Sequence, residues 1–171
     1  MTTAELILYA TPSGPLGDAL DDLFRQIAER GSTTAQDFPP HCTLTGFFHR
    51  DRTDIPRIAA EVDHAIATID RTSIDAVGIV ALHRRPDWVG LELASGWLRD
   101  LTAGFVGAHV VGANDDAIRP KDWLHLSIGY GVDDLGATTR ATDGLDLTLP
   151  VDWEIALWQR HADGSWSRLR G

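Results

Sequence analysis

Two histidines stand at the head of the same short motif. His41 is followed by an apolar residue, Thr43 and a second apolar residue, and His125 is followed by an apolar residue, Ser127 and a second apolar residue. Because alternate side chains of a strand share one face, each imidazole is expected beside its own hydroxyl, with the apolar residues turned into the core. Imidazoles titrate near neutrality. The two motifs therefore predict a general acid and a general base.

The elements that carry these motifs follow from apolar periodicity and turn residues. An apolar run at 5–10, closed by a turn at 11–15, indicates a buried strand, and three- and four-residue apolar spacing predicts helices over 15–30 and 56–69. A third helix is expected after residue 94, with Leu98, Leu101 and Phe105 on one face. Further strands are predicted over 41–48, 74–83, 88–94, 123–131, 153–160 and 166–169.

The order strand, helix, strand occurs twice along the chain. The pieces begin at residues 5, 15 and 41 in the first half and at 88, 95 and 124 in the second, and the two histidines lie 84 residues apart. This near-constant spacing predicts two similar halves packed about a pseudo-two-fold axis, with one histidine-bearing strand from each. We expect a single domain over 1–171 with a symmetric cleft between its halves.

The paired motifs resemble those of the 2H phosphoesterase superfamily, which is named for two His-x-Thr/Ser motifs. The resemblance rests on Pro40-His41-Cys42-Thr43-Leu44 and His125-Leu126-Ser127-Ile128-Gly129-Tyr130-Gly131, which are most similar to those of its cyclic phosphodiesterases. It implies a bilobal α+β fold, with two antiparallel sheets around a central cleft and helices outside. Thr45-Gly46-Phe47-Phe48 departs from the sequence that tends to follow the first motif in the 2'-5' RNA ligase branch, which favours the cyclic phosphodiesterases.

The resemblance implies hydrolysis of a small 2',3'-cyclic nucleotide, or of ADP-ribose 1'',2''-cyclic phosphate, to the 2'-phosphate, without a metal or any other cofactor. One of His41 and His125 would take a proton from water and the other would give one to the leaving oxygen, in an order that the sequence leaves open. Thr43 and Ser127 would donate hydrogen bonds to the phosphate oxygens. Two alternatives remain: RNA-end or 2'-5' phosphodiester processing, and a nucleotide-binding module without turnover.

Three further residues are candidate substrate contacts. Tyr130 matches a tyrosine that related enzymes carry near the phosphate, but it shares the face of His125 only if a bulge interrupts the strand, for which Gly129 is a plausible cause. Trp123 and Phe48 flank the motifs and could stack on a base.

Composition limits the partners and the compartment. The chain has 171 residues, 43% of them hydrophobic, and a net charge of −10, which repels long nucleic acid but permits a short RNA end or a small nucleotide. No apolar run is long enough to span a membrane, so no membrane partner is expected. Cys42 is the only cysteine, expected to be buried, and it excludes an intramolecular disulfide. We expect a cytoplasmic monomer.

The other histidines and charged motifs are interpreted as surface features. Glu61-Val62-Asp63-His64 matches half of a di-iron motif once, and we interpret it as the solvated face of a helix. The histidines without the paired motif are expected on the surface or in loops: His49, His64, His83, His109 and His161.

Overall fold

Strands and helices alternate in the computed structural model, which describes residues 3–30, 34–69, 78–109, 116–130 and 136–170. The strands are β1 (Thr3–Ser13), β2 (Cys42–Thr43), β3 (Phe48–Asp51), β4 (Gly78–Arg84), β5 (Trp88–Ala94), β6 (His125–Tyr130), β7 (Asp152–Arg160) and β8 (Trp166–Arg170). The α-helices are α1 (Gly14–Glu29), α2 (Ile55–Thr68), α3 (Gly96–Ala108) and α4 (Gly136–Ala141). The fold is α+β, as predicted.

All eight strands belong to one antiparallel sheet. Its order is β4-β5-β6-β2-β1-β7-β8, and β3 pairs with β1 beyond the short β2. The expectation of two separate sheets is therefore wrong for the described residues. A pair of residues in register, Cys42 and Leu126, joins β2 to β6 and makes the hydrogen bonding continuous across the middle.

The repeated order of elements is seen in the structure. Strand β1, helix α1 and strand β2 begin at residues 3, 14 and 42, and β5, α3 and β6 begin at 88, 96 and 125. In the sheet, β2 and β6 lie side by side in the middle, with β1 and β5 flanking them. The two histidine-bearing strands are thus central neighbours.

The core lies on the face of the sheet that the helices cover. The predicted apolar stripe of α1 is buried: Leu16, Leu20, Leu23, Phe24 and Ile27. These side chains share a cluster with Leu6 and Leu8 of β1, with Cys42 and Leu126, and with buried residues of α2 and α3. Burying this apolar surface is the main force that holds helices and sheet together. It leaves the opposite face of the central strands available for polar side chains.

Several predicted boundaries are wrong. The turn predicted at 11–15 is shorter, because Thr11, Pro12 and Ser13 continue β1 and pair with β7. The strand predicted over 41–48 is broken: the buried Thr45 hydroxyl accepts the Leu8 amide at 3.1 Å, and β3 starts only at Phe48. Helix α4 was not predicted. Residues 74–77 and Gly131, which the predicted strands include, lie outside the described residues.

A buried charged network ties β3 to α2. Arg50 is 1% exposed and donates through Nε to His109 Nε2 at 2.7 Å, and His109 Nδ1 donates to Glu61 Oε2 at 2.6 Å. Arg50 also donates to Asp116 Oδ1 at 3.1 Å. His109 follows the end of α3, in the loop position that was one of the two expected, but it is 5% exposed and so is not a surface residue. Glu61 is on α2, but it faces this network rather than solvent alone.

Within the described residues, no helix combines the length and the apolar character needed to cross a membrane.

Candidate active site on the central strands

The two motifs project to the same side of the sheet. Cys42 and Leu126 are directly paired and fully buried in the core. Residues directly opposite in an antiparallel pair share a face, and the residues next to them along each strand lie on the other face. That other face, here called the histidine face, carries His41, Thr43, His125 and Ser127, all half-buried.

The register also determines how close the imidazoles are. Extended by one residue in each direction, the pairing of Cys42 with Leu126 sets His125 opposite Thr43 and Ser127 opposite His41. The two histidines are therefore diagonal neighbours, for which separations of about 7–8 Å are usual. Each imidazole lies across from the hydroxyl of the other motif, so the four groups surround one position on the sheet.

Both rings are held in the same way by the backbone. His41 Nδ1 lies 2.8 Å from the Pro39 carbonyl oxygen, and His125 Nδ1 lies 3.2 Å from the Trp123 carbonyl oxygen. A carbonyl only accepts, so Nδ1 is the protonated nitrogen in each neutral ring. Nε2 is then the nitrogen that can take up a proton or, once protonated, give one away.

Burial lowers the pKa of both histidines. For His41, desolvation is the largest cause; the hydrogen bond to the Pro39 carbonyl opposes it, and the positive form of His125 lowers the pKa further. For His125, desolvation is again the largest cause, the Trp123 carbonyl opposes it, and Lys121 adds to the lowering.

Trp88 completes the environment of the second motif, although no pattern in the sequence indicates this role. Its indole Nε1 donates to Ser127 Oγ at 2.9 Å, and its ring meets that of His125 at a centroid distance of 5.6 Å. The indole lies over Gly90, where a Cβ would come within 2.3 Å of Trp88 Cζ2 and 2.5 Å of the Leu126 carbonyl oxygen. Only glycine leaves room for this contact.

The bulge required for Tyr130 is present. In the pairing of β5 with β6, Val89 is opposite Gly129 but Gly90 is opposite Ser127, so β6 contains one extra residue at this point. Beyond the bulge Tyr130 pairs with Trp88, whose side chain faces the histidines. Tyr130 also acts on Tyr9 of β1: burial, and then the charge of Tyr130, raise the pKa of Tyr9. Tyr130 therefore lies on the histidine face.

Trp123 and Phe48 have different locations. Trp123 is 39% exposed and stacks on His125 at a centroid distance of 4.3 Å, as expected of a side chain beside the site. Phe48 is fully buried in the core, with its ring near Phe105, so its assignment as a substrate contact is wrong. Its neighbour Phe47 is 39% exposed. Because alternate residues of a strand share a face, counting from His41 puts Phe47, and not Phe48, on the histidine face.

Aromatic side chains flank the pair of imidazoles on both sides. Beside His41, the rings of Tyr9 and Phe38 lie at 4.1 and 6.3 Å, and Trp166 contacts both of these rings. Beside His125 are Trp88 and Trp123, whose rings are 5.1 Å apart. An arginine covers each group: the Arg160 guanidinium lies 4.4 Å from the Phe47 ring, and that of Arg85 lies 5.9 Å from both tryptophans. Such surfaces suit planar nucleobases.

Glu92 and His83 extend the site on the side of His125. Glu92 is directly opposite His125 in the pairing of β5 with β6, and its Oε2 lies 2.6 Å from Nε2 of His83. The expectation that His83 belongs to the surface or a loop is wrong, since it is a half-buried residue of β4. The sequence alone does not reveal either residue, because both reach the site through strand pairing.

Among the described residues, no group of three or more His, Cys, Asp or Glu side chains is arranged to hold a metal ion. The groups that the structure brings together are two imidazoles, two hydroxyls and aromatic rings. This set can move protons and bind an anion with a planar substituent.

The sequence matches no known protein-family model. It is 23% identical over 163 residues to the ubiquitin-associated and SH3 domain-containing protein B of mouse and of human. These alignments cover 91% of this chain but 25% of each relative, so the chain spans about a quarter of the length of the proteins it matches.

Proposed function

We propose that this protein is a metal-independent phosphodiesterase of the 2H type that hydrolyses a small 2',3'-cyclic nucleotide to the 2'-phosphate, or opens the cyclic phosphate of ADP-ribose 1'',2''-cyclic phosphate to a monoester. One observation carries the proposal: the pairing of Cys42 with Leu126 puts both imidazoles and both hydroxyls on one face, around one position. A phosphate at that position could contact all four groups.

The strand arrangement supports a 2H-like fold with two related lobes. Cys42 and Leu126 are equivalent positions, each one residue after its histidine, and they pair with each other. In an antiparallel pair this is the arrangement that a two-fold axis between the lobes would produce. The flanking positions of β1 and β5 agree with it.

The residue types account for the proposed reaction. One neutral imidazole accepts a proton from water at Nε2 while the water oxygen attacks phosphorus. The other imidazole, protonated, gives its Nε2 proton to O3' as the P–O3' bond breaks, which leaves a 2'-phosphate and a 3'-hydroxyl. Thr43 and Ser127 donate hydrogen bonds to the non-bridging oxygens, where negative charge increases. The hydrogen bond from Trp88 fixes the position of Ser127 Oγ.

The aromatic group beside His41 favours a second candidate within the same chemistry. A mononucleotide has one base, whereas aromatic rings with an arginine lie on both sides of the histidines. Two such surfaces suit a short RNA end or a 2'-5' dinucleotide. Steeply salt-dependent binding of oligoribonucleotides would support this candidate over the cyclic mononucleotide.

The deciding assay uses the purified protein in EDTA. The substrates are the four nucleoside 2',3'-cyclic phosphates, ADP-ribose 1'',2''-cyclic phosphate and a 2'-5' dinucleotide. We expect hydrolysis of at least one cyclic phosphate at a rate that EDTA does not change, with a 2'-phosphate as the product of any nucleoside 2',3'-cyclic phosphate that is hydrolysed. Loss of activity in EDTA would contradict the metal-independent mechanism, and calorimetric binding without turnover would identify a nucleotide-binding module instead.

The pH profile of kcat/KM is expected to be bell-shaped, with its maximum below pH 6.5, the usual pKa of histidine. A lowered pKa keeps the imidazole that acts as the base unprotonated at lower pH, so the acid limb of the profile shifts to lower pH. A lowered pKa also makes the imidazole that acts as the acid lose its proton at lower pH, so the alkaline limb shifts to lower pH as well. Initial rates at substrate concentrations well below KM measure this profile. A flat profile from pH 5 to 9, or a maximum above pH 7, would contradict it.

A further inference from the structure

The two histidines differ in what lies opposite them on the flanking strands. Glu92 of β5 is directly opposite His125. On the other side, Ala10 of β1 pairs with Cys42, so the same register sets Thr11 opposite His41. A carboxylate therefore neighbours one imidazole and a neutral hydroxyl neighbours the other. The otherwise similar halves are electrostatically unequal at this point.

Glu92 is connected to His125 through Trp123 as well. Glu92 Oε2 lies 2.6 Å from His83 Nε2, and the pKa of Glu92 is lowered first by His83 and to a smaller extent by the Trp123 side chain. Trp123 in turn contacts His125 twice: its ring stacks on the imidazole at 4.3 Å and an angle of 26°, and its carbonyl accepts from Nδ1. Trp123 therefore interacts both with Glu92 and with the imidazole of His125.

We propose that Glu92 is a positioning residue that holds Trp123 against His125 and favours the protonated form of that imidazole, so that His125 is the proton donor and His41 the base. The inference rests on the proposed function, to which it adds the assignment of the two roles. In the reaction, His41 Nε2 takes the proton of the attacking water, and His125 Nε2 gives its proton to O3' as the P–O3' bond breaks. One proton is gained and one is lost, and exchange with solvent restores both rings.

Other charged groups act on His125, and the test must separate them from Glu92. Lys121 and protonated His41 disfavour a positive His125. His83 and Arg85 lie on the other side of Glu92 and partly neutralise its charge. Because Glu92 is half-exposed, solvent weakens its effect further, so a moderate change is expected.

The experiment is NMR titration of His125 in Glu92→Gln, with Glu154→Gln as the matched control. Glutamine keeps an oxygen that can accept from Trp123 but removes the charge, so we expect the pKa of His125 to fall by about 0.5 to 1. Glu154 is also on the histidine face, but it is opposite Thr11 and pairs with Arg168, so its replacement should leave His125 unchanged. An equal pKa of His125 in Glu92→Gln and the control would overturn the inference.

The kinetics of the same variants test the assignment of roles. If His125 is the donor, Glu92→Gln moves the alkaline limb of kcat/KM to lower pH and leaves the acid limb in place. Movement of the acid limb alone would make His125 the base and overturn the assignment. Glu92→Ala, which also removes the acceptor for Trp123, should lower kcat below that of Glu92→Gln, whereas equal kcat values would refute the positioning role. Absence of hydrolysis in the wild type would refute the proposed function and the role assignment, while the titration would still decide whether Glu92 acts on His125.

Discussion

His41→Ala and His125→Ala are each expected to lower kcat for the hydrolysed cyclic phosphate by about 10² to 10⁴, the usual contribution of one acid–base group. The proton path depends on Nε2 of each ring, because Nδ1 is engaged with the backbone carbonyl of Pro39 or Trp123. Removing either ring leaves water to accept or supply that proton. Steady-state kinetics on each purified variant measures the loss.

The matched control is His64→Ala, because His64 is an exposed residue of α2. It should keep the kcat of the wild type. The double variant His41→Ala/His125→Ala adds a second criterion: groups that act in one step are strongly non-additive, so it should be only slightly slower than the slower single variant. Near-normal turnover in both single variants would exclude the paired-imidazole mechanism.

The parts of the fold with strong local periodicity were predicted from the sequence. The apolar stripe from Leu16 to Ile27 predicted α1, and the apolar run before the first turn predicted β1. Both patterns can be recognised within a short stretch of sequence, because they depend only on residues that are close together in the chain. The duplication predicted that His41 and His125 would come from corresponding strands. Their position on one face depended on alternation within each strand, which is also a local property.

The residues that were missed depend on pairing between distant parts of the chain. Trp88 and Glu92 reach the second motif only because β5 pairs with β6 in a particular register, including the extra residue at the bulge. No pattern within β5 alone specifies that register. The same holds for the order of the sheet, since its two halves are joined by contacts between distant residues, the pair Cys42 and Leu126 and the bridge between Thr45 and Pro120.

The break in the strand predicted over 41–48 depends on a tertiary neighbour, whereas alternation counted from His41 already puts Phe48 on the core face, where the structure has it. The prediction assumed one strand over 41–48, but the Thr45 hydroxyl accepts the Leu8 amide and Lys121 donates to the Leu44 carbonyl, so the chain leaves regular pairing after Thr43. Side-chain acceptors of this kind compete with strand hydrogen bonds, and their use depends on a tertiary neighbour.

Arg50→Met is expected to lower the free energy of unfolding by about 3–5 kcal/mol, the usual cost of breaking a buried charged pair from one side. Methionine retains most of the apolar volume but leaves His109 Nε2 and the His49 carbonyl without the donor that Arg50 provides. Because His109 is itself buried, water cannot readily replace that donor. Urea unfolding at neutral pH, followed by tryptophan fluorescence, measures the loss.

The control for this prediction is Arg168→Met, which removes the same type of side chain from an ion pair with Glu154 on the exposed surface. Exposed pairs contribute little, because solvent screens the charges and both side chains lose conformational freedom, so the expected loss is below about 1 kcal/mol. A similar small loss in both variants would mean that Arg50 is not a buried partner of His109. A large loss in Arg50→Met alone would confirm that this network stabilises the packing of α2 against β3.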